Sequence, residues 1–248
     1  MLFEERAAKI LSILNSRYTV SVTELAAELG TSESTIRRDV TELERRGQLK
    51  RIHGGAMRAS NPVITGEYDV QTRAGIHADL KQRIAKYAAA TVHEDDLVYI
   101  DAGTTTLMMI PYIDAPGAVF VTNGFPHAKA LTQRGYEVRM VGGRLKLKTE
   151  AIVGYEAARS IERYNFTKCF MGTNGIDAKR GFTTPDIDEA VIKEAAMAHS
   201  YMSYILADSS KFRQVLSVTF AKISDACILT DSIPEEHYKK LTVIKAVD

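Results

Sequence analysis

The stretch Leu97-Val-Tyr-Ile-Asp-Ala-Gly-Thr-Thr-Thr106 decides how most of the chain is read. Four apolar or aromatic residues make a short buried strand, a sharp glycine turn follows, and the threonines open a helix. In an open α/β sheet such a turn lies at the carboxyl end of a strand, where the amides of the next helix point at bound anions. Gly103 allows close backbone approach, and the hydroxyls of Thr104, Thr105 and Thr106 can donate to phosphate oxygens. Threonine here is also an ordinary helix cap, so the turn alone serves two readings.

Outward from this turn the pattern repeats. Runs ending at Asn123-Gly124, at Gly142-Gly143-Arg144 and at Thr173-Asn174-Gly175 each close an apolar strand in small or polar residues, as the rim of a crevice would. Further strands are expected at 204–207, 226–230 and 241–247, with helices near 76–91, 124–134, 152–163 and 187–200. Strands alternating with helices imply a Rossmann-like α/β domain with a mostly parallel sheet over 76–248. Lys211, in a Ser-Ser-Lys turn after a strand, is the cation placed to neutralise a phosphate. Arg144 and Lys148 suit a second anionic group or stand as solvated basic side chains. Asp188 and Glu189 open a helix, where its dipole favours acids, and Glu189 is also a candidate ligand contact.

Residues 1–58 have a different period. Phe3, Ala7, Ile10, Leu11, Ile13 and Leu14 mark one amphipathic helix stopping near Asn15, and Val22–Leu29 a second, closed by Gly30. A third starts after Thr31 or Ser32, with Ile36, Val40 and Leu43 facing the core. Ser34, Thr35, Arg37 and Arg38 then lie in its first turns, off that apolar stripe. A helix, a short turn and a second helix exposing such donors fit the major groove, where arginine can read guanine and hydroxyls can meet phosphates. Gln48–His53 and Ala56–Arg58 read as two strands about Gly54-Gly55, a wing placing Lys50, Arg51 and His53 against phosphates. Over 31–60 the basic residues outnumber the acids by three. The bland alternative is a solvated charged face. Residues 59–75 read as a linker.

The whole chain, 248 residues, is 45% hydrophobic and 25% charged with a net charge of +1, so it is globular and any electrostatic footprint is local. Cys169 and Cys227 lie alone in apolar runs and read as reduced core thiols, which excludes a disulfide scaffold and a zinc site. No secretion signal or membrane-length apolar run is present, and a cytoplasmic protein is expected. His53, His77, His93, His127, His199 and His237 fall in no catalytic spacing and read as surface or structural residues. No metal, nucleotide or other cofactor is implied.

Arg6, Ile10 and Leu14, then Ser32-x-x-Thr-Ile-Arg-Arg-Asp-Val40 and Leu49-Lys-Arg-Ile-His-Gly-Gly-Ala56, resemble the N-terminal signature of the DeoR family of bacterial transcriptional regulators. IDAGTTT (100–106), VTNG (121–124), GTNGID (172–177) and ADSSKF (207–212) resemble its C-terminal effector domain, which is similar in fold to ribose-5-phosphate isomerase. The resemblance implies a winged helix-turn-helix with Ser32, Ser34, Thr35, Arg37, Arg38, Lys50, Arg51, His53, Gly54 and Gly55 at operator DNA. It also implies that Asp101 and Asn123 meet sugar hydroxyls, Gly103 to Thr106 the phosphate, and Asn174, Gly175 and Lys211 the rest of the ligand. The stretches 148–154 and 181–190 look most like the fructose-operon repressors within the family. That likeness implies a homo-dimeric or homo-tetrameric repressor released by fructose 1-phosphate, with fructose 1,6-bisphosphate open as an alternative.

Two other functions compete. A sugar-phosphate isomerase with a DNA-binding arm would share the fold, but proton shuttling needs a carboxylate base. The isomerases resembled carry Asp-Gly-Ala-Asp where this chain has Thr173-Asn-Gly-Ile176, so binding without turnover is expected. A nonspecific chromosome-organising factor would need more positive charge than this local excess.

Overall fold

A computed structural model describes residues 2–17, 19–58 and 70–247, apart from the side chains of Asn15, Ser16, Arg58 and Gln71. The chain forms two compact units, Met1–Pro62 and Val63–Asp248. Most of the expected linker, 59–69, lies outside the described residues.

The first unit contains α1 (Phe3–Arg17), β1 (Thr19–Ser21), α2 (Val22–Leu29), α3 (Glu33–Arg45), β2 (Leu49–Ile52) and β3 (Gly55–Arg58). Ile10, Leu14, Leu25, Ile36, Val40 and Leu43 meet in one core, as their helical spacing requires. Ser21 and Glu24 form a reciprocal capping box at the start of α2. The wing has three strands in the order β1-β3-β2, where two were expected. Thr19–Ser21 is too short a run to announce a strand and forms one only by pairing with Gly55–Met57.

The second unit contains α4 (Val70–Gly75), α5 (Ala78–Ala89), β4 (Leu97–Ile100), α6 (Thr104–Met109), β5 (Val119–Thr122), α7 (Phe125–Gln133), β6 (Glu137–Met140), β7 (Arg144–Lys146), β8 (Ala151–Val153), α8 (Tyr155–Ile161), β9 (Phe166–Gly172), β10 (Gly175–Asp177), β11 (Gly181–Thr184), α9 (Ile187–Ala198), β12 (Ser200–Leu206), β13 (Val218–Ala221), β14 (Cys227–Thr230) and β15 (Ile244–Ala246). Seven of these strands form a parallel sheet in the order β15-β14-β12-β9-β4-β5-β6. Side chains alternate across it: Val98, Ile100 and Phe170 enter one core, and Tyr99, Cys169 and Met171 the other. β4 lies between β5 and β9, so the chain leaves β4 toward one edge of the sheet and builds the opposite half from β9. That is a topological switch point, where the turns after two neighbouring strands part and open a crevice.

Three expectations are corrected. The linker does not extend to Gly75, because Val70–Gly75 is a helix whose Arg73 carbonyl accepts a hydrogen bond from Lys81. The helix expected at 152–163 starts at Tyr155. Ala151–Val153 pairs instead with Arg144–Lys146, and the Ile152 amide donates to the Asn123 carbonyl at 2.7 Å. The small antiparallel sheet β10-β11-β13 was not foreseen. Its short strands carry no clean apolar alternation.

Candidate functional site

In the first unit α3 presents the expected donors, with differing freedom. Ser32 caps the helix by accepting from the Thr35 amide at 3.2 Å, and its hydroxyl lies 2.9 Å from those of Ser34 and Thr35. Arg37 pairs with Glu33 at 3.1 Å. Arg38 is exposed and has no ion-pair partner among the described residues. Asp39, one residue on, is buried and takes a bidentate grip from Arg6 at 2.7 and 3.0 Å, which ties α1 to α3 and fixes the angle of the exposed face. On the wing Lys50, Arg51, His53 and Gly54 are exposed, with Arg51 held toward Glu44. Gly55 is buried where β3 pairs with Ser21, so it serves the wing's own packing.

In the second unit a cavity of about 360 Å³ opens at the switch point. It is lined by Asp101, Gly103, Thr104, Thr105, Asn174, Glu189 and Lys211 of the expected set. It is also lined by Arg73, Lys81 and Lys193, which sequence reasoning missed. Two charged groups meet there. Lys81, from α5, donates to the Thr104 hydroxyl at 3.2 Å and feels the charges of Lys211 and Arg73. Burial, then those like charges, push the Lys81 ammonium down to about 8. The Arg73 Nε is buried and has no hydrogen-bond partner among the described residues, a donor facing the cavity without an acceptor there.

The other group is already paired. Lys193 on α9 forms a buried ion pair with Asp101, donates to the Gly172 carbonyl at 3.1 Å and stands 5.6 Å from the Phe220 ring centre. The Gly172 amide donates to Asp101 at 3.1 Å. Glu189, one helical turn before Lys193, accepts from Lys146 at 2.9 Å. Burial works against its ionisation, but the charges of Lys193 and Lys146 hold it below the usual carboxylate range. Asn174 and Glu189 share the Thr184 hydroxyl, each at 3.3 Å.

Five expected ligand residues lie off the cavity. Thr106 is fully buried, its hydroxyl donating to the Asp101 and Gly103 carbonyls at 2.6 and 2.8 Å, so it braces the turn from beneath. Asn123 spends its side chain on the Ala102 amide at 2.8 Å and the Ile152 carbonyl at 3.1 Å. Gly175 lies inside β10, where a Cβ would come within 2.4 Å of the Gln214 carbonyl. Arg144 is exposed and paired with Asp188. Lys148 is exposed in the β7–β8 turn.

Beneath the turn sits His127, whose Nε2 lies 3.1 Å from both the Thr106 hydroxyl and the Gly103 carbonyl. Burial pushes its imidazole down to about 4, so the ring is neutral at pH 7. The ring fits because residue 124 is glycine: a Cβ there would lie 2.3 Å from Nδ1. Asn123, Gly124 and His127 thus turn the end of β5 into a scaffold for the end of β4. The Gly124-Phe-Pro-His127 spacing was the available signal, but its meaning needed the neighbouring strand.

A unit that offers an arginine-bearing helix, joined to a unit built round a cation-lined cavity, defines a two-part DNA-binding regulator with a sensor. The DeoR-like helix-turn-helix domain matches residues 6–61 and the DeoR C terminal sensor domain residues 76–232. The chain belongs to the DeoR family and is a transcriptional regulator, not an enzyme. It is 41% identical over 251 residues to the HTH-type transcriptional regulator FruR of Bacillus subtilis, covering 100% of this chain and 99% of the relative. To the lactose phosphotransferase system repressor of Streptococcus mutans it is 31% identical, covering 96% of each. Among solved structures it is similar to ribose 5-phosphate isomerase from Plasmodium falciparum, with a TM-score of 0.40 and 15% identity over 54% of this chain and 52% of that one. Among the described residues no helix is long and apolar enough to cross a membrane, and no group of side chains is arranged to hold a metal.

Proposed function

We propose that the protein represses a sugar-utilisation operon and leaves its operator when a sugar monophosphate, fructose 1-phosphate foremost, fills the cavity at the switch point. The observation that carries this reading is the split lining: Arg73, Lys81 and Lys211 face the cavity beside the 101–105 turn, while Asp101 and Lys193 pair with each other, Glu189 pairs with Lys146, and Asn174 and Glu189 share the Thr184 hydroxyl. These three cations, with no carboxylate ion pair among the described residues, suit a phosphate. The paired groups suit hydroxyls, which can donate and accept at once.

The same split favours one phosphate over two. Arg73, Lys81 and Lys211 gather on the Thr104 side, where one phosphate can engage all three. The cation beside Asn174 and Glu189, Lys193, is neutralised by Asp101, and Arg144 and Lys148 lie off the cavity, so a second phosphate on that side finds no unpaired cation among the described lining residues. Arg73 stands on α4, the first element after residues 59–69, so an occupant that engages it acts on the chain leading to the DNA-reading unit. Paired copies would set two copies of α3 in half-sites about one helical turn apart.

Thermal unfolding with fructose 1-phosphate, fructose 6-phosphate and fructose 1,6-bisphosphate tests the assignment, alongside an operator shift assay. A monophosphate at about 100 times its dissociation constant adds roughly 2.7 kcal/mol and releases the DNA. If no phosphorylated sugar stabilises the protein, the reading fails; if the bisphosphate binds best, the single-phosphate assignment fails.

A further inference from the structure

β6 is the outermost strand on its side of the seven-stranded sheet and, among the described residues, pairs only with β5. The Val141 amide donates to the Thr122 carbonyl at 3.1 Å. By the two-residue alternation of a strand, the peptide groups of Glu137 and Arg139 also face β5, and those of Val138 and Met140 face outward. Glu137, Arg139 and Met140 are exposed, and Glu137 pairs with Arg139 along the strand at 2.8 Å. Open peptide groups on such an edge accept another strand unless side chains forbid it.

The charges choose the strand. Consider a second copy of β6 laid antiparallel along the first about a two-fold axis. With the axis at Glu137, that residue faces its own copy; with the axis at Arg139, two arginines face each other. Both arrangements are repulsive. With the axis at Val138, Glu137 faces Arg139 of the second copy, and the symmetry repeats the pair. This register also makes Val138 a hydrogen-bonded pair with itself, in line with its outward-facing peptide groups. An axis at Met140 would satisfy the backbone but leave both charges without an opposite partner.

We propose that the protein self-associates through β6, forming a two-fold dimer with its axis at Val138 that joins two sheets edge to edge. The proposal deepens the reading of a repressor acting as paired copies and supplies the pairing surface. The charges that turn away a foreign strand welcome a second copy, so the edge is guarded and specific at once. A four-residue strand alone buries too little for a stable dimer, which needs about 1,000 Å² or more. Met140, and Leu145 and Leu147 in the chain that follows, are 39%, 50% and 80% exposed and provide apolar surface for such a contact to cover.

Sedimentation velocity of the full chain tests this. Glu137→Arg and Arg139→Glu each bring like charges face to face, and each should raise the dimer dissociation constant at least tenfold. The double exchange recreates the opposite pairing and should return it to the starting value. In a Cys227→Ser background, Val138→Cys should form a disulfide-linked dimer on oxidation, since Cα atoms about 5.5 Å apart across such a pair are within bonding reach. Tyr201→Cys, exposed on β12, should stay reduced. A protein monomeric at tens of micromolar overturns the proposal. So does a dimer indifferent to both single reversals, or one the double exchange does not restore. Sugar-phosphate stabilisation, measured on the same samples, separates the two ideas: a β6 result leaves the effector assignment standing, and an effector failure leaves the dimer standing.

Discussion

The start of α3 and the turn before α6 are both short polar runs at a helix N-terminus, yet the molecule supports them in opposite ways. Around Ser32–Arg38 the bonds are mostly local: Ser32 caps its own helix and Arg37 holds Glu33, while Thr23 of α2 donates to Glu33 at 2.7 Å and the neighbouring Arg6–Asp39 pair reaches to α1. Around 101–106 the Thr106 hydroxyl braces its own turn, but most bonds are distant in sequence, from Lys193, Gly172, Asn123 and His127. A surface that reads DNA can be built from one helix, whereas a cavity that holds a small anion must be enclosed by several elements. The difference should appear first in what each region loses when one bond is broken.

The largest loss is expected at Asp101→Ala, which leaves Lys193 buried without a counter-ion and the Gly172 amide without an acceptor. Breaking such a pair costs about 3–5 kcal/mol, seen as a lowered urea midpoint of the second unit. The matching change in the first unit, Asp39→Ala, should cost less, about 1–3 kcal/mol, because the Arg6 side chain keeps 15% of its exposure and can turn to water. Equal losses would erase the contrast between the regions. Next comes Arg38→Ala, which should weaken binding to one operator by about 1–3 kcal/mol while leaving random DNA nearly unchanged. Lys50→Ala should weaken both alike and lower the salt slope. If Arg38→Ala behaves as Lys50→Ala does, α3 contacts phosphates rather than bases.

The same contrast explains what was legible in the sequence. Ser32, Thr35, Arg37 and Arg38 were readable because periodicity alone separates the faces of one helix. Asp101, Thr104, Thr105 and Lys211 were readable because a polar turn after an apolar strand lies at the sheet's carboxyl edge. Arg73, Lys81 and Lys193 were not: Arg73 falls in the stretch read as linker, Lys81 and Lys193 lie within helices, and each looks like a solvated base until tertiary packing turns it inward. Thr106 and Asn123 lie off the cavity for the converse reason: a polar side chain beside a ligand turn and one bracing it from behind have the same local pattern. Gly175 carries the same ambiguity, its missing side chain making room for protein rather than for ligand.

His127 lets the bracing be measured apart from contact with ligand, because it does not line the cavity. His127→Gln keeps an N–H near the Nε2 position and should hold sugar-phosphate affinity within about threefold. His127→Phe removes the ring nitrogen that meets Gly103 and Thr106 and should weaken affinity about tenfold, the worth of one hydrogen bond. Operator binding without effector should be the same in both. A Phe variant that melts earlier but binds sugar phosphate normally would reduce His127 to packing, with the turn held by Thr106, Asn123 and the Asp101 contacts to Lys193 and Gly172.

The smallest effect, and the one most particular to the cavity, is its pH dependence. Lys81 titrates near 8 when folded and empty, against about 10.4 in an unfolded chain. Between those values the unfolded chain holds more protons, so Lys81 makes the empty protein gain stability as pH rises. A bound phosphate has the opposite preference, since its charge favours the ammonium and binding above pH 8 must draw a proton from solution. Affinity should therefore level off near neutrality, once the phosphate is a dianion, and decline above pH 8 by up to about tenfold per unit. Lys81→Arg keeps its charge throughout and should abolish the decline, although its flat guanidinium will not reproduce the ammonium's contacts. Arg38 and the rest of the reading helix have no such group, so operator affinity without effector should stay level over the same range. A parallel fall in both would place the titrating group outside the cavity.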